Sequence, residues 1–243
     1  MILRVISTGS QGNCYILEND SEILILECGV NIKEIKRYLN FNTDKVVGLL
    51  LTHSHSDHSK SCKNVLELGI RIHALEETFT ALNINDHHNS IAVIPLKKIT
   101  LGGFSIIPFE VKHDVPIVNY LIEHKDTGVF CFITDTFYSP YKFNGLNNLI
   151  IEANFCEDII DQKLKFDRKF LRDRILKSHL SIQKCIDLLN ANDLTAVNSI
   201  VLIHLSDSNS NEIEFQTKVQ EATGKNTIVA HNGLDIPFNI NPF

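Results

Sequence analysis

Short apolar runs broken by polar turns dominate the first half of this chain. They predict strands at 2–6, 13–18, 22–27, 46–51, 71–74, 91–94, 98–101, 104–110, 117–123 and 128–133. Helical spacing is confined there to about 32–39, where Ile32, Ile35 and Leu39 share a face, and to 61–68. The second half mixes the two periods. A strand at 149–151 is followed by helices at about 168–177 and 181–190, the latter striped by Ile182, Cys185, Ile186 and Leu189. A strand at 199–203, a helix at 211–221 and a strand at 227–230 complete the pattern. No repeat or low-complexity linker interrupts it. The expectation is one α/β domain spanning 1–243, two sheets stacked face to face with helices outside.

With 243 residues and 44% apolar content, the chain can bury a full core. It has no apolar run of membrane-spanning length, and its first residues lack the flanks of a signal peptide. Cys14, Cys28, Cys62, Cys131, Cys156 and Cys185 form no Cys-x-x-Cys pair, and several lie in or beside strand-like runs. Reduced, buried thiols and a cytoplasmic setting are expected. The net charge of −6 argues against broad, non-specific nucleic-acid binding. Residues 163–177 differ: Lys163, Lys165, Arg168, Lys169, Arg172, Arg174 and Lys177 stand against Asp167 and Asp173, a net +5. Such a window reads equally as a phosphate-binding patch or as a solvated helix face.

The sharpest chemical signal follows the apolar run Val46 to Leu51, in His53-Ser54-His55-Ser56-Asp57-His58. Imidazole and carboxylate are ligands of zinc, manganese or iron. In extended or turning backbone, His53 and His55 can point to one side, while Asp57 and His58 turn elsewhere, so one loop can feed two adjacent metals. It cannot complete both coordination shells. His113, Asp135 and His204 each directly follow a buried run, and the two oxygens of Asp135 suit a bridging role. Glu152 ends a strand and His179 precedes a helix; spacing does not choose between a carboxylate-supported general acid and ordinary surface polar groups. His73, His87, His88, His124 and His231 read as structural or exposed.

These residues resemble a known family. The loop His53 to His58 fits the HxHxDH signature of the metallo-β-lactamase superfamily, and Ser7-Thr8-Gly9-Ser10-Gln11-Gly12-Asn13-Cys14 is similar to the opening of its YycJ (WalJ)-like subfamily. Ile133-Thr134-Asp135-Thr136, Ile151-Glu152-Ala153-Asn154, Ser178-His179-Leu180-Ser181 and Ile203-His204-Leu205-Ser206 resemble its later motifs in order. Glu27 and Ser178 depart from it, standing where the family carries aspartate and glycine. The resemblance implies an αβ/βα sandwich and two divalent metals, zinc or manganese. His53, His55 and His113 would hold one metal, Asp57, His58 and His204 the other, with Asp135 between them. Asp57, Glu152 and His179 would be the catalytic groups. It also implies hydrolysis of phosphodiesters by a two-metal-activated hydroxide, with DNA-end cleavage first. The alternative is opening of cyclic nucleotides, as in related phage enzymes that defeat bacterial signalling. Nucleic acid or a cyclic nucleotide is then the expected partner; the chain is also compatible with a homodimer. Two other classes compete: a non-catalytic metal-binding scaffold, against which the full ligand set argues, and a lactone, thioester or β-lactam hydrolase, which would not need the basic window.

Overall fold

A computed structural model of the chain describes residues 1–163 and 169–241. Its elements run in chain order as β1 (Ile2–Ser7), β2 (Cys14–Glu18), β3 (Ile23–Leu26), α1 (Ile32–Tyr38), β4 (Val46–Leu50), α2 (Ser56–Ser59), α3 (Cys62–Glu67), β5 (Ile72–Ala74), α4 (Glu76–Leu82), β6 (Ser90–Ala92), β7 (Ile99–Leu101), β8 (Phe104–Glu110), β9 (Val118–His124) and β10 (Gly128–Ile133). They continue as β11 (Leu146–Glu152), α5 (Glu157–Lys163), α6 (Lys169–Ser178), α7 (Ile182–Asn190), β12 (Ser199–Ile203), α8 (Glu212–Thr223), β13 (Asn226–Val229) and β14 (Asp235–Pro237).

Two seven-stranded mixed sheets result, in the orders β14-β1-β2-β3-β4-β5-β6 and β13-β12-β11-β10-β9-β8-β7. Leu3, Tyr15, Leu24 and Leu50 of the first sheet meet Phe104, Tyr120, Phe130 and Val201 of the second in one dry core. Two further clusters cover the outer faces. Ile35, Val65 and Phe79 pack helices α1, α3 and α4 onto the first sheet, and Ile182, Cys185, Leu189 and Phe215 pack α7 and α8 onto the second. Helix–sheet–sheet–helix layering is thus the way these apolar faces leave water.

Strand direction positions the site. β3, β4 and β5 are parallel neighbours, as are β10, β11, β12 and β13. Parallel strands end at the same edge, so residues far apart in sequence meet there. The expected strands all form, with bounds shifted by a few residues. β11 is longer than expected because Asn147 and Asn148 disguise its start. Asn148 is buried and satisfied, donating to the Thr127 carbonyl and accepting from Ser199. Helices α2, α4 and α5 and strand β14 were not predicted. β14 is an edge strand, where Pro237 costs no ladder bond. The six cysteines are buried and form no disulfide; the thiols of Cys28 and Cys62 lie 3.3 Å apart, in hydrogen-bond contact. Among the described residues, no helix is long and apolar enough to cross a membrane.

Candidate metal centre

The residues singled out from the sequence converge. His53 follows β4, and His55 to His58 lie at and in the short helix α2. His113 follows β8, Asp135 follows β10, Glu152 closes β11, His179 follows α6 and His204 follows β12. Four overlapping sets have donor atoms within 4.8 Å of one another: His53, His55 and His113; Asp57, His58 and His204; His53, His58 and Asp135; and Asp135, Glu152, His179 and His204. The first two are the sets expected for two cations, and Asp135 belongs to both of the others.

Three of the imidazoles are aimed by a neighbour that leaves the other nitrogen for the cluster. The Thr52 hydroxyl lies 2.9 Å from His53 Nδ1, the Ser178 carbonyl 2.8 Å from His113 Nδ1, and Glu152 Oε1 3.0 Å from His204 Nδ1. His53 Nε2 and His204 Nε2 are buried and have no hydrogen-bond partner. Burying such a nitrogen without a partner is costly. Imidazole nitrogens gathered with carboxylates in such sets are the donor chemistry of divalent-cation sites, so the residues present fit a pair of such ions.

Three site residues adopt the left-handed backbone region without being glycine: Glu27, Asp135 and His204. Each stands one or two residues past a strand that has a parallel neighbour, and such geometry persists only where surroundings hold it. The Thr134 hydroxyl donates to Asp135 Oδ2 at 2.9 Å, while Thr8 Oγ1 and the Asn154 amide grip the backbone of His204 at 2.9 and 2.7 Å. Glu27, the departure from the family pattern, is fully buried beneath the loop. It accepts from the Thr52 amide at 3.3 Å and stands 3.6 Å from His58 Nδ1, beyond hydrogen-bond reach.

Charge balance follows from burial and partners. Burial opposes ionisation of Asp135, yet His204 and His58 hold its carboxyl well below the usual range. Asp57 is likewise lowered against its burial by His204 and His58. His204 overcomes burial through Asp135, Asp57 and Glu152, rising to about 9. His179 overcomes burial through Glu152 and Asp135, rising to about 10. Glu152 Oε1 lies 2.8 Å from His179 Nδ1 and is fully buried, so it is not an exposed strand-end charge.

The cluster opens into a cleft of about 360 Å³ lined by His55, Asp57, His113, Asp135, His179 and His204, among others. Three further residues contribute to which the sequence pattern assigns no role. Asn13 Nδ2 lies 3.2 Å from His58 Nε2, and the backbone N–H of Asn13 donates to the Asp57 carbonyl at 2.7 Å. Asp114 Oδ1 lies 3.0 Å from His113 Nε2 at the mouth, and Thr52 orients His53. Only adjacency to ligand-type residues could have flagged Asp114 and Thr52.

The basic window contributes less than its composition suggests. Lys165 and Arg168 lie outside the described residues, as do the side chains of Lys169 and Arg174. Arg172 is paired with Asp161 at 2.8 Å, and Lys163 donates to the Ser208 carbonyl. Of the remaining histidines, His73 and His124 are buried, His124 against Glu22 at 3.0 Å, and His87 stacks on His88 outside the site.

Residues 7–96 match the model of the metallo-β-lactamase superfamily. The exodeoxyribonuclease WalJ of Streptococcus pneumoniae is 26% identical over 234 residues, covering 89% of this chain and 86% of that protein. Among solved structures, the metallo-β-lactamase fold protein YhfI of Bacillus subtilis superposes with a TM-score of 0.72 at 16% identity, over 97% of this chain and 98% of that one. The short form of human tRNase Z superposes with a TM-score of 0.65 at 14% identity, over 98% and 99%.

Proposed function

We propose that this chain, whose residues 7–96 match the metallo-β-lactamase superfamily, is a metal-dependent hydrolase that cleaves phosphodiester bonds, with DNA ends as substrate. The observation that carries this reading is the sharing of Glu152 Oε1 between His179 Nδ1, at 2.8 Å, and His204 Nδ1, at 3.0 Å. A supported imidazole thereby stands beside a cation-binding cluster, which is what departure of a poor leaving group requires. The relationship to an exodeoxyribonuclease over most of both chains supports DNA.

His53, His55 and His113 would hold one divalent ion and Asp57, His58 and His204 a second, with Asp135 between them. Zinc or manganese there would supply Lewis acidity toward phosphate and a water acidic enough to attack at neutral pH. The chain's own groups do the rest. Asp57 Oδ2 stands 3.5 Å from both His58 Nε2 and His204 Nε2, placed to accept a hydrogen bond from the attacking water. His179 keeps its proton at neutral pH because Glu152 and Asp135 outweigh its burial. It donates that proton to the leaving oxygen as the phosphorus–oxygen bond breaks, and Glu152 fixes the ring and stabilises its charge.

A second reading, cyclic-nucleotide phosphodiesterase, is favoured by the small cleft of about 360 Å³ and by the internal pairing of Arg172. The test offers the metal-loaded protein end-labelled duplex DNA and a panel of cyclic mononucleotides side by side. Stepwise loss of nucleotides from DNA, absent in His53→Ala, supports the nuclease. Ring opening with DNA untouched replaces it with the second reading, and activity on neither sinks both.

A further inference from the structure

Beside the metal cluster lies a second concavity of about 560 Å³, lined mainly by apolar surface. Three of its walls, Phe137, Tyr138 and Tyr141, come from the segment after Asp135; Leu180 comes from the turn before α7, and Lys184, Asp187 and Leu188 from α7 itself. Both segments are tethered to the reacting groups. Phe137 is two residues beyond Asp135, and Leu180 is the residue after His179, its amide donating to Glu152 at 3.1 Å. Consecutive Cα atoms are about 3.8 Å apart, so the backbone of two of its walls lies within roughly 8 Å of the backbone of the site.

Backbone bonds fix the aromatic wall. The amide of Phe137 donates to the Lys112 carbonyl at 3.2 Å, and the amide of Lys112 to the Tyr138 carbonyl at 3.3 Å. The side chain of Tyr138 is nevertheless 56% exposed, an unusual place for a large ring on a held segment. Lys184 Nζ stands over the Phe137 ring, 5.9 Å from its centre, which sets a cation against this aromatic surface. The volume falls in the range of small-molecule sites. Rings that offer a face, a cation beside them and a phosphodiester-cleaving centre next door are complementary to one chemical unit: a flat base carrying a phosphate.

We propose that this pocket is a nucleobase subsite, which stacks the base of the nucleotide adjoining the scissile phosphate on Tyr138 and Phe137 while Lys184 meets its neighbouring phosphate. The assignment rests on the phosphodiesterase reading and deepens it: the enzyme grips a base rather than the sugar–phosphate backbone alone. Stacking on a ring is tolerant of base identity, so the subsite predicts a demand for a base without a demand for a particular one.

Two measurements test it. The first titrates the protein with 2-aminopurine deoxyribonucleoside 5′-monophosphate, whose fluorescence is quenched on stacking. The quench should saturate in the parent protein and in Tyr138→Phe. In Tyr138→Ala and Lys184→Ala the dissociation constant should rise about tenfold. Tyr138→Ala keeps the backbone bonds of its segment, and an unchanged melting temperature verifies that it folds. The second compares cleavage of DNA ending in a normal nucleotide with DNA ending in an abasic one. The parent protein should prefer the normal end about tenfold, and this ratio should collapse toward one in Tyr138→Ala. DNA cleavage indifferent to the base, with no quench, overturns the subsite and leaves the nuclease reading standing. A quench lost in Tyr138→Ala without any DNA cleavage removes the nuclease reading and supports the subsite.

Discussion

Replacing Gly29 by alanine should disable the metal loop from behind. Gly29 follows Cys28 beneath α2, and its backbone is not in the region that only glycine favours; what it supplies is closeness. A Cβ there would sit 1.7 Å from the Asp57 carbonyl oxygen and 2.8 Å from the His58 nitrogen. Contacts below 3.0 Å essentially never occur, so the loop would have to retreat by at least about 1.3 Å. It is pinned against such movement, since Asn13 donates to the Asp57 carbonyl at 2.7 Å, Cys28 to the His58 carbonyl at 2.8 Å and Gly29 to the Asn13 carbonyl at 2.9 Å. Overpacking of this kind costs about 1–3 kcal/mol, which a domain of this size survives. Displacing Asp57 and His58 by more than an ångström should lower turnover about 100-fold and weaken metal retention about 10- to 100-fold. Metal content by elemental mass spectrometry, phosphodiester cleavage and thermal melting would be measured on one preparation. Gly69→Ala serves as control, because a Cβ there meets nothing within 4 Å although the backbone is left-handed. A Gly29→Ala protein that folds, keeps its metal and cleaves at the parent rate would refute the reasoning.

Other consequences are checked as directly. Glu152→Gln removes the charge that helps hold the His179 proton, so the basic limb of the kcat–pH profile should move to lower pH and kcat should fall about 10²-fold or more. An unshifted limb would detach His179 from Glu152. His73 is buried with neither ring nitrogen bonded, and burial, aided by Arg71, lowers it from 6.5 to about 4. The unfolded chain therefore binds the extra proton across that window, and stability that is full above pH 6.5 should fall by up to about 3 kcal/mol as pH drops toward 4. Denaturant titrations of His73→Leu should show a correspondingly flatter dependence, and equal slopes in both proteins would exclude His73 as a source. Chelation should lower the melting temperature and zinc or manganese restore it, since metal 100-fold above its dissociation constant adds about 2.7 kcal/mol of stability per site. A melting temperature indifferent to metal would argue against a cation holding these strand ends together.

Much of the fold and site was legible because local and global signals agreed. Buried runs such as Ile23–Leu26 and Val46–Leu50 are strongly apolar, and both are strands of the first sheet. The metal-loop residues and the strand-end candidates His113, Asp135 and His204 were visible because ligand chemistry sits directly after such runs. What stayed hidden depends on tertiary contact. Buried Asn148 looks like a loop residue until Thr127 and Ser199 satisfy it. Glu152 and His179 are 27 residues apart, and the bonding of the α6–α7 turn to the segment after β11 brings them to 2.8 Å. The basic window read from composition is altered by a pairing invisible in sequence, Arg172 with Asp161. The aromatic pocket gave no periodic signal, because Phe137, Tyr138 and Tyr141 lie in irregular backbone between β10 and β11.

Asp135 would join two cation sites into one phosphodiester-cleaving centre. Metal-free parent and Asp135→Ala proteins titrated with zinc or manganese, with bound metal and cleavage of end-labelled DNA both followed, decide this. The parent should bind two equivalents, with cleavage rising with the second, and Asp135→Ala should bind more weakly and not cleave. Full cleavage by Asp135→Ala, or a parent that saturates with one equivalent and cleaves, would contradict it.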